Sequence, residues 1–65
     1  MTGKLNNLIH IADRAGLYGI GDLAMEIMHA VEGTEKTLLI KALESLAPTG
    51  NAEIDQSIEA IAGGF

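Results

Sequence analysis

Aliphatic residues recur at helical spacing in four segments of this chain, and glycine or proline separates each segment from the next. No stretch alternates apolar and polar residues for long enough to form a strand. At 65 residues the chain is long enough for a single domain only. The pattern therefore predicts an all-α fold, a small antiparallel bundle of three to four short amphipathic helices.

The segments divide the chain into a helical body and an acidic C-terminal helix. Within the body, residues 1–50, the spacing predicts helices over about 4–15, 21–31 and 35–46. A C-terminal helix, 51–65, ends in Gly-Gly-Phe and carries three acids and no base. Glycines at three of the positions 16–21 predict a loop there.

Cap residues fix where three of these segments begin or end. Gly33 is expected to stop the second helix, which includes Val31, and Thr34 is expected to cap the third. Asn51, after the turn at Pro48, is expected to cap the last helix. The third helix is the most apolar, so we expect it at the centre of the fold. Its apolar face comprises Leu38, Leu39, Ala42, Leu43 and Leu46, and Ile40 extends that face.

The small size and the purely aliphatic core predict marginal stability. Hydrophobic residues make up 48% of the chain but aromatic residues only 3%, so the core must be built from leucine, isoleucine, alanine and methionine. A core of this size leaves little margin over the conformational entropy that folding removes. We therefore expect either a homo-oligomer or a protein partner that completes the core.

Charge and composition exclude several functions. Nine acidic residues face four basic ones, for a net charge of −5, which disfavours nucleic-acid binding. The longest apolar run, 38–40, is far too short for a membrane span. The chain lacks cysteine and any ordinary secretory signal at its start, so we expect a cytoplasmic protein, or one exported only after processing.

No convincing nucleophile, base and orienting group occur together, so we expect no enzyme and no cofactor.

Glu26 and His29 form a Glu-x-x-His step of the kind found in carboxylate-bridged metal bundles. A metal site would need a second such step from a homodimer, with Glu32 or Glu44 as further ligands. Because Glu26 lies opposite the apolar stripe, a solvated surface is the favoured interpretation.

Met25 and Met28 lie at the margin of the second helix, beside Glu26. Methionine side chains adapt either to a partner surface or to irregular gaps in a core. Both interpretations stay open at this stage.

The C-terminal segment carries the most specific motif. The helix ends in Ile58-Glu59-Ala60-Ile61-Ala62-Gly63-Gly64. This ending resembles the double-glycine end of leader peptides from ribosomally synthesised, post-translationally modified peptides and bacteriocins, which is typically an acidic helix closing in Glu-Ala-Val-Ala-Gly-Gly. Counted back from Gly64 as −1, Ile61 and Ile58 occupy the hydrophobic positions −4 and −7.

The resemblance covers about ten residues and implies a processing site. It implies cleavage after Gly64 by the cysteine peptidase domain of an export transporter, with modification enzymes bound upstream. Two positions depart from the family pattern: Glu53 stands at the usually hydrophobic −12, with Ile54 next to it, and Ser57 at the often acidic −8. Only Phe65 follows the glycines, so we expect either a scaffold to which an amino acid is appended or a leader without its core peptide.

The leading hypothesis is a non-enzymatic precursor or scaffold peptide. Enzymes would recognise it through its helices and process it at Gly63-Gly64, with Ile54, Ile58 and Ile61 read by the partner. The alternative is a small acidic binding protein, such as an inhibitor, an antitoxin or a phage-type adaptor. Its binding face would lie around Met25, Met28 and the acidic face of the second helix, which includes Glu26. A metal-binding homodimer ranks third.

Overall fold

The computed structural model describes residues 2–63, and these form a four-helix bundle. The all-α prediction is confirmed. The helices are α1 (Thr2–Ala15), α2 (Tyr18–His29), α3 (Thr34–Ser45) and α4 (Ala52–Gly63).

The helices close into a ring in which each packs against two others. α1 packs against α2, α2 against α3 and α3 against α4, and α4 then packs back against α1. The described residues measure 29 × 18 × 17 Å along their principal axes. Because α4 closes the ring, the C-terminal helix is part of the bundle rather than an appendage of it.

One cluster of aliphatic side chains forms the core, and all four helices contribute to it. Its members are Leu5, Leu8, Ile11, Ala12, Ile20, Ala24, Ile27, Ile40, Leu43, Ile54, Ile58 and Ile61. α1 and α4 supply seven of these twelve side chains, so the two ends of the sequence hold much of the core.

α2 begins earlier than the sequence predicts. Gly16, at a φ of 76°, ends α1 in a Schellman motif: its N–H donates to the Asp13 carbonyl, and the Leu17 N–H donates to the Ala12 carbonyl. α2 starts at Tyr18, so of the loop predicted over 16–21 only Gly16 and Leu17 lie between the helices. Glycine lowers helix stability by only about 1 kcal/mol, and the packing of α2 on α1 offsets that cost.

The connection between α2 and α3 also differs from the prediction. α2 ends at His29 instead of Val31, and the Val31 side chain is 77% exposed. α3 starts at Thr34, which is the first helical residue rather than the cap. The cap position is held by Gly33, and the Thr37 hydroxyl donates to the Gly33 carbonyl over 3.1 Å.

The expectation that α3 occupies the centre is wrong. Its core-facing positions are Lys36, Ile40 and Leu43, while Leu38 and Leu46 are 60% and 44% exposed. The apolar residues of α3 spread around more of its circumference than two neighbouring helices can cover. Lys36 is 8% exposed, and its ammonium group pairs with the Glu32 carboxylate over 2.8 Å.

None of the four helices within residues 2–63 combines the length and the hydropathy that a membrane crossing requires.

Candidate functional site

The C-terminal helix, which carries the double-glycine motif, is firmly capped at its start. The side-chain oxygen of Asn51 accepts hydrogen bonds from the backbone N–H groups of Glu53 and Ile54, at 3.0 and 3.2 Å. These bonds satisfy two of the donors that a helix leaves unpaired at its N-terminus. The predicted cap at Asn51 is confirmed.

Asp55 holds the preceding connection against α4. Its Oδ1 accepts hydrogen bonds from the backbone N–H and the hydroxyl of Thr49, at 2.8 and 2.9 Å. The Asn51 N–H in turn donates to the Thr49 hydroxyl over 3.2 Å. The chain therefore enters α4 through a linked set of hydrogen bonds, which gives this helix a defined beginning.

The three predicted recognition isoleucines lie inside the bundle. Ile54 and Ile61 are 0% exposed and Ile58 is 2% exposed. Spacings of four and three residues bring them onto the one face of α4 that meets α1 and α3. The role of Ile58 and Ile61 in recognition stays a prediction, and in the folded bundle both side chains are covered by neighbouring helices.

The opposite face of α4 is polar and accessible. Glu53, Gln56, Glu59, Ala60 and Gly63 are exposed. Nothing lies within 4 Å of the place where a Cβ on Gly63 would stand, so the last helical residue is open to the surroundings. Gly64 and Phe65, the other residues of the predicted processing site, lie outside the described residues.

A shallow groove of about 400 Å³ runs between the end of α3 and α4. We call it the acidic groove. It is lined by Glu44, Ala47, Pro48, Asp55, Ile58, Glu59 and Ala62.

The lining of the acidic groove combines four apolar residues, which we call the floor, with three acidic residues, which we call the rim: Ala47, Pro48, Ile58 and Ala62 in the first group, and Glu44, Asp55 and Glu59 in the second. The sequence alone did not predict it, because its lining residues belong to two helices and the connection between them. A signal was nonetheless present in the sequence. After Lys41, the residues up to Gly63 include four acids and no base.

The predicted partner residues on α2 have different environments. Met25 is 45% exposed and Glu26 is exposed, whereas Met28 is half-buried and packs against the core. Met25 lines a second groove, of about 280 Å³, with Ile9 and His10 of α1 and with Tyr18. Tyr18, assigned to a loop from the sequence, is 64% exposed at the start of α2.

Within residues 2–63, the fold does not bring the candidate metal ligands together. Glu26 and His29 are both exposed on α2. Across residues 2–63, no three side chains of histidine, aspartate or glutamate come together as ligands for a metal ion.

Comparisons with known proteins add no relative. No protein-family model matches the chain, and neither a curated protein nor a solved structure resembles it at a significant level.

Proposed function

We propose that this chain is a non-enzymatic precursor or scaffold peptide, which enzymes bind through its helices and process at Gly63-Gly64. The observation that carries the proposal is the junction at Gly63: α4 runs without interruption to an exposed glycine, and the second glycine of the motif follows at once. A pair of residues without Cβ suits a chain that must thread a narrow protease cleft.

Because Ile58 and Ile61 are buried, recognition of their side chains requires α4 to separate from the bundle. A peptidase that reads these side chains must first draw α4 out of the bundle. Fully burying one isoleucine stabilises the fold by about 1.5–3 kcal/mol, so separating α4 carries an energetic cost. Processing would then proceed in two stages, with binding of the folded body followed by release of α4 into the peptidase.

The proposal is tested with a chain that carries a reporter peptide fused after Phe65. The fusion is incubated with the peptidase domain of a double-glycine-specific export transporter from the same organism, and the products are weighed by mass spectrometry. We expect cleavage after Gly64, and loss of that cleavage in a Gly63→Ala and Gly64→Ala double variant. A Gly3→Ala variant is the matched control, because a Cβ at Gly3 would also meet nothing within 4 Å. Equal cleavage of the double variant and the control would contradict the proposal.

A specific observation favours a second candidate, a small protein-binding inhibitor or adaptor. Met25 and Tyr18 are exposed and line the same groove between α1 and α2, and adaptable or aromatic side chains of this kind are common at protein interfaces. Deleting residues 62–65 separates the two candidates. If the variant without residues 62–65 loses its biological activity, the result favours the precursor. If that variant keeps its activity, the result favours the adaptor.

A further inference from the structure

The acidic groove combines a concave surface with a concentration of negative charge. Its apolar lining residues are Ala47, Pro48, Ile58 and Ala62, and its acidic lining residues are Glu44, Asp55 and Glu59. Ala47 is only half-buried and Pro48 is exposed, so an incoming apolar side chain would find apolar surface that the bundle itself leaves uncovered.

The net charge of the protein is concentrated around this groove. Residues 2–41 carry five acids and four bases, whereas residues 42–63 carry four acids and no base. Three of those four acids line the groove. The surrounding field therefore favours a cationic partner and disfavours anionic phosphates, whether from nucleic acid or from a membrane surface.

We propose that the acidic groove is a docking site for a basic amphipathic segment of a partner protein. One apolar side chain of that segment would cover Ala47 and Pro48, and lysine or arginine residues on either side would meet Glu44 and Glu59. The aliphatic stems of those cations can lie along the apolar floor while their charged ends reach the rim. Electrostatic complementarity of this kind speeds association and selects the partner.

This inference rests on the proposed function in one respect: a modification enzyme or a processing peptidase would supply the basic segment. It extends that function by naming the surface and the chemistry of the partner. The groove borders α4 itself, so a partner seated there would hold the helix that leads into Gly63-Gly64.

Binding is tested by titrating the full chain, labelled with ¹⁵N, with a synthetic helical peptide that has leucine on one face and lysine on the other. We expect saturable shifts of the amide signals of Ala47, Glu59 and Ala62. A peptide with the same leucine pattern and glutamate in place of lysine should leave these signals unchanged. Raising the salt concentration should weaken binding of the lysine peptide, because the ion pairs are exposed.

Two matched double variants test whether the peptide binds to the acidic residues that line the groove. Glu44→Gln with Glu59→Gln should weaken the lysine peptide about fivefold, as expected for two exposed ion pairs. Glu26→Gln with Glu53→Gln removes the same charge from exposed positions that do not line the groove, and it should change the affinity little. Asp55 is left unchanged because it holds Thr49.

Three results would overturn the inference. The first is equal weakening by both double variants, and the second is a set of shifts confined to the groove between α1 and α2. The third is shifts at the acidic groove that depend on protein concentration without peptide, which would make its occupant a second copy of the chain. Binding is measured without cleavage, so a chain that binds the peptide but is never processed would contradict the proposed function and leave this inference standing.

Discussion

The Lys4 ammonium group in α1 donates a hydrogen bond to the Ala60 carbonyl near the end of α4, over 3.3 Å. The contact joins residues 56 positions apart in the chain, at the seam where the ring of helices closes. A cation near a helix C-terminus interacts favourably with the helix dipole, although the energy is small because both residues are exposed. The contact matters for where it lies, because it joins the C-terminal part of α4 to the N-terminal part of α1.

The first prediction concerns which face of α3 meets the core. Leu43→Ala should lower the free energy of unfolding by about 2–5 kcal/mol, because Leu43 is fully buried and its truncation leaves a cavity. Leu38→Ala, the same substitution on the same helix at a side chain that is 60% exposed, should change it by less than about 0.5 kcal/mol. Urea denaturation followed by circular dichroism measures both. Equal losses would show that the face of α3 has been assigned wrongly.

The second prediction concerns the cap of α4. Asn51→Ala removes the acceptor of two backbone N–H groups and should cost about 0.5–2 kcal/mol of stability. Asn51→Asp keeps a side-chain oxygen in place and should stay close to the parent protein. Thermal unfolding of the two variants provides the comparison, and an alanine variant as stable as the aspartate variant would rule out a capping role.

The third prediction separates two exposed glycines by backbone conformation alone. A Cβ at Gly16 or at Gly19 would meet no atom within 4 Å, but only Gly16 has a positive φ, of 76°. Gly19→Ala should therefore stabilise the protein by about 0.4–1 kcal/mol. Gly16→Ala should destabilise it, because an alanine there is strained. Denaturation midpoints that move in the same direction for both variants would contradict the Schellman ending of α1.

The fourth prediction links folding to processing. If α4 must leave the bundle before cleavage, Leu5→Ala should accelerate cleavage of the reporter fusion about tenfold or more, because it removes a buried contact of the core and raises the population of open chains. Leu38→Ala is the control and should leave the rate unchanged. A rate that falls or stays constant in Leu5→Ala would show that the peptidase acts on the folded bundle.

The helical fold could be predicted from spacing and caps, because both are local properties. The fold class follows from the aliphatic repeat, and Asn51 caps α4 as predicted. The start of α2 was missed because Gly19 resembles a helix breaker, whereas the next two residues, Ile20 and Gly21, are buried in the bundle. The prediction that α3 lies at the centre was wrong because a leucine-rich sequence does not show how many other helices pack against it. In the fold α3 packs against only α2 and α4.

The candidate site was predictable only in part. The order and identity of Ile54, Ile58 and Ile61 are visible in the sequence, and their helical spacing correctly places them on one face. Whether that face meets a partner or the chain's own core depends on α1 and α3, which lie far away in sequence. For the same reason, replacing Ile58 with aspartate would disturb folding as well as recognition, since it would bury a carboxylate among apolar side chains.

Mass spectrometry of the protein purified from its native host shows whether the chain is processed at Gly63-Gly64. The measurement maps the residue at the C-terminal end of the mature chain. We expect a mature chain that ends at Gly64. A population in which every chain continues past Gly64 would contradict processing at the double glycine.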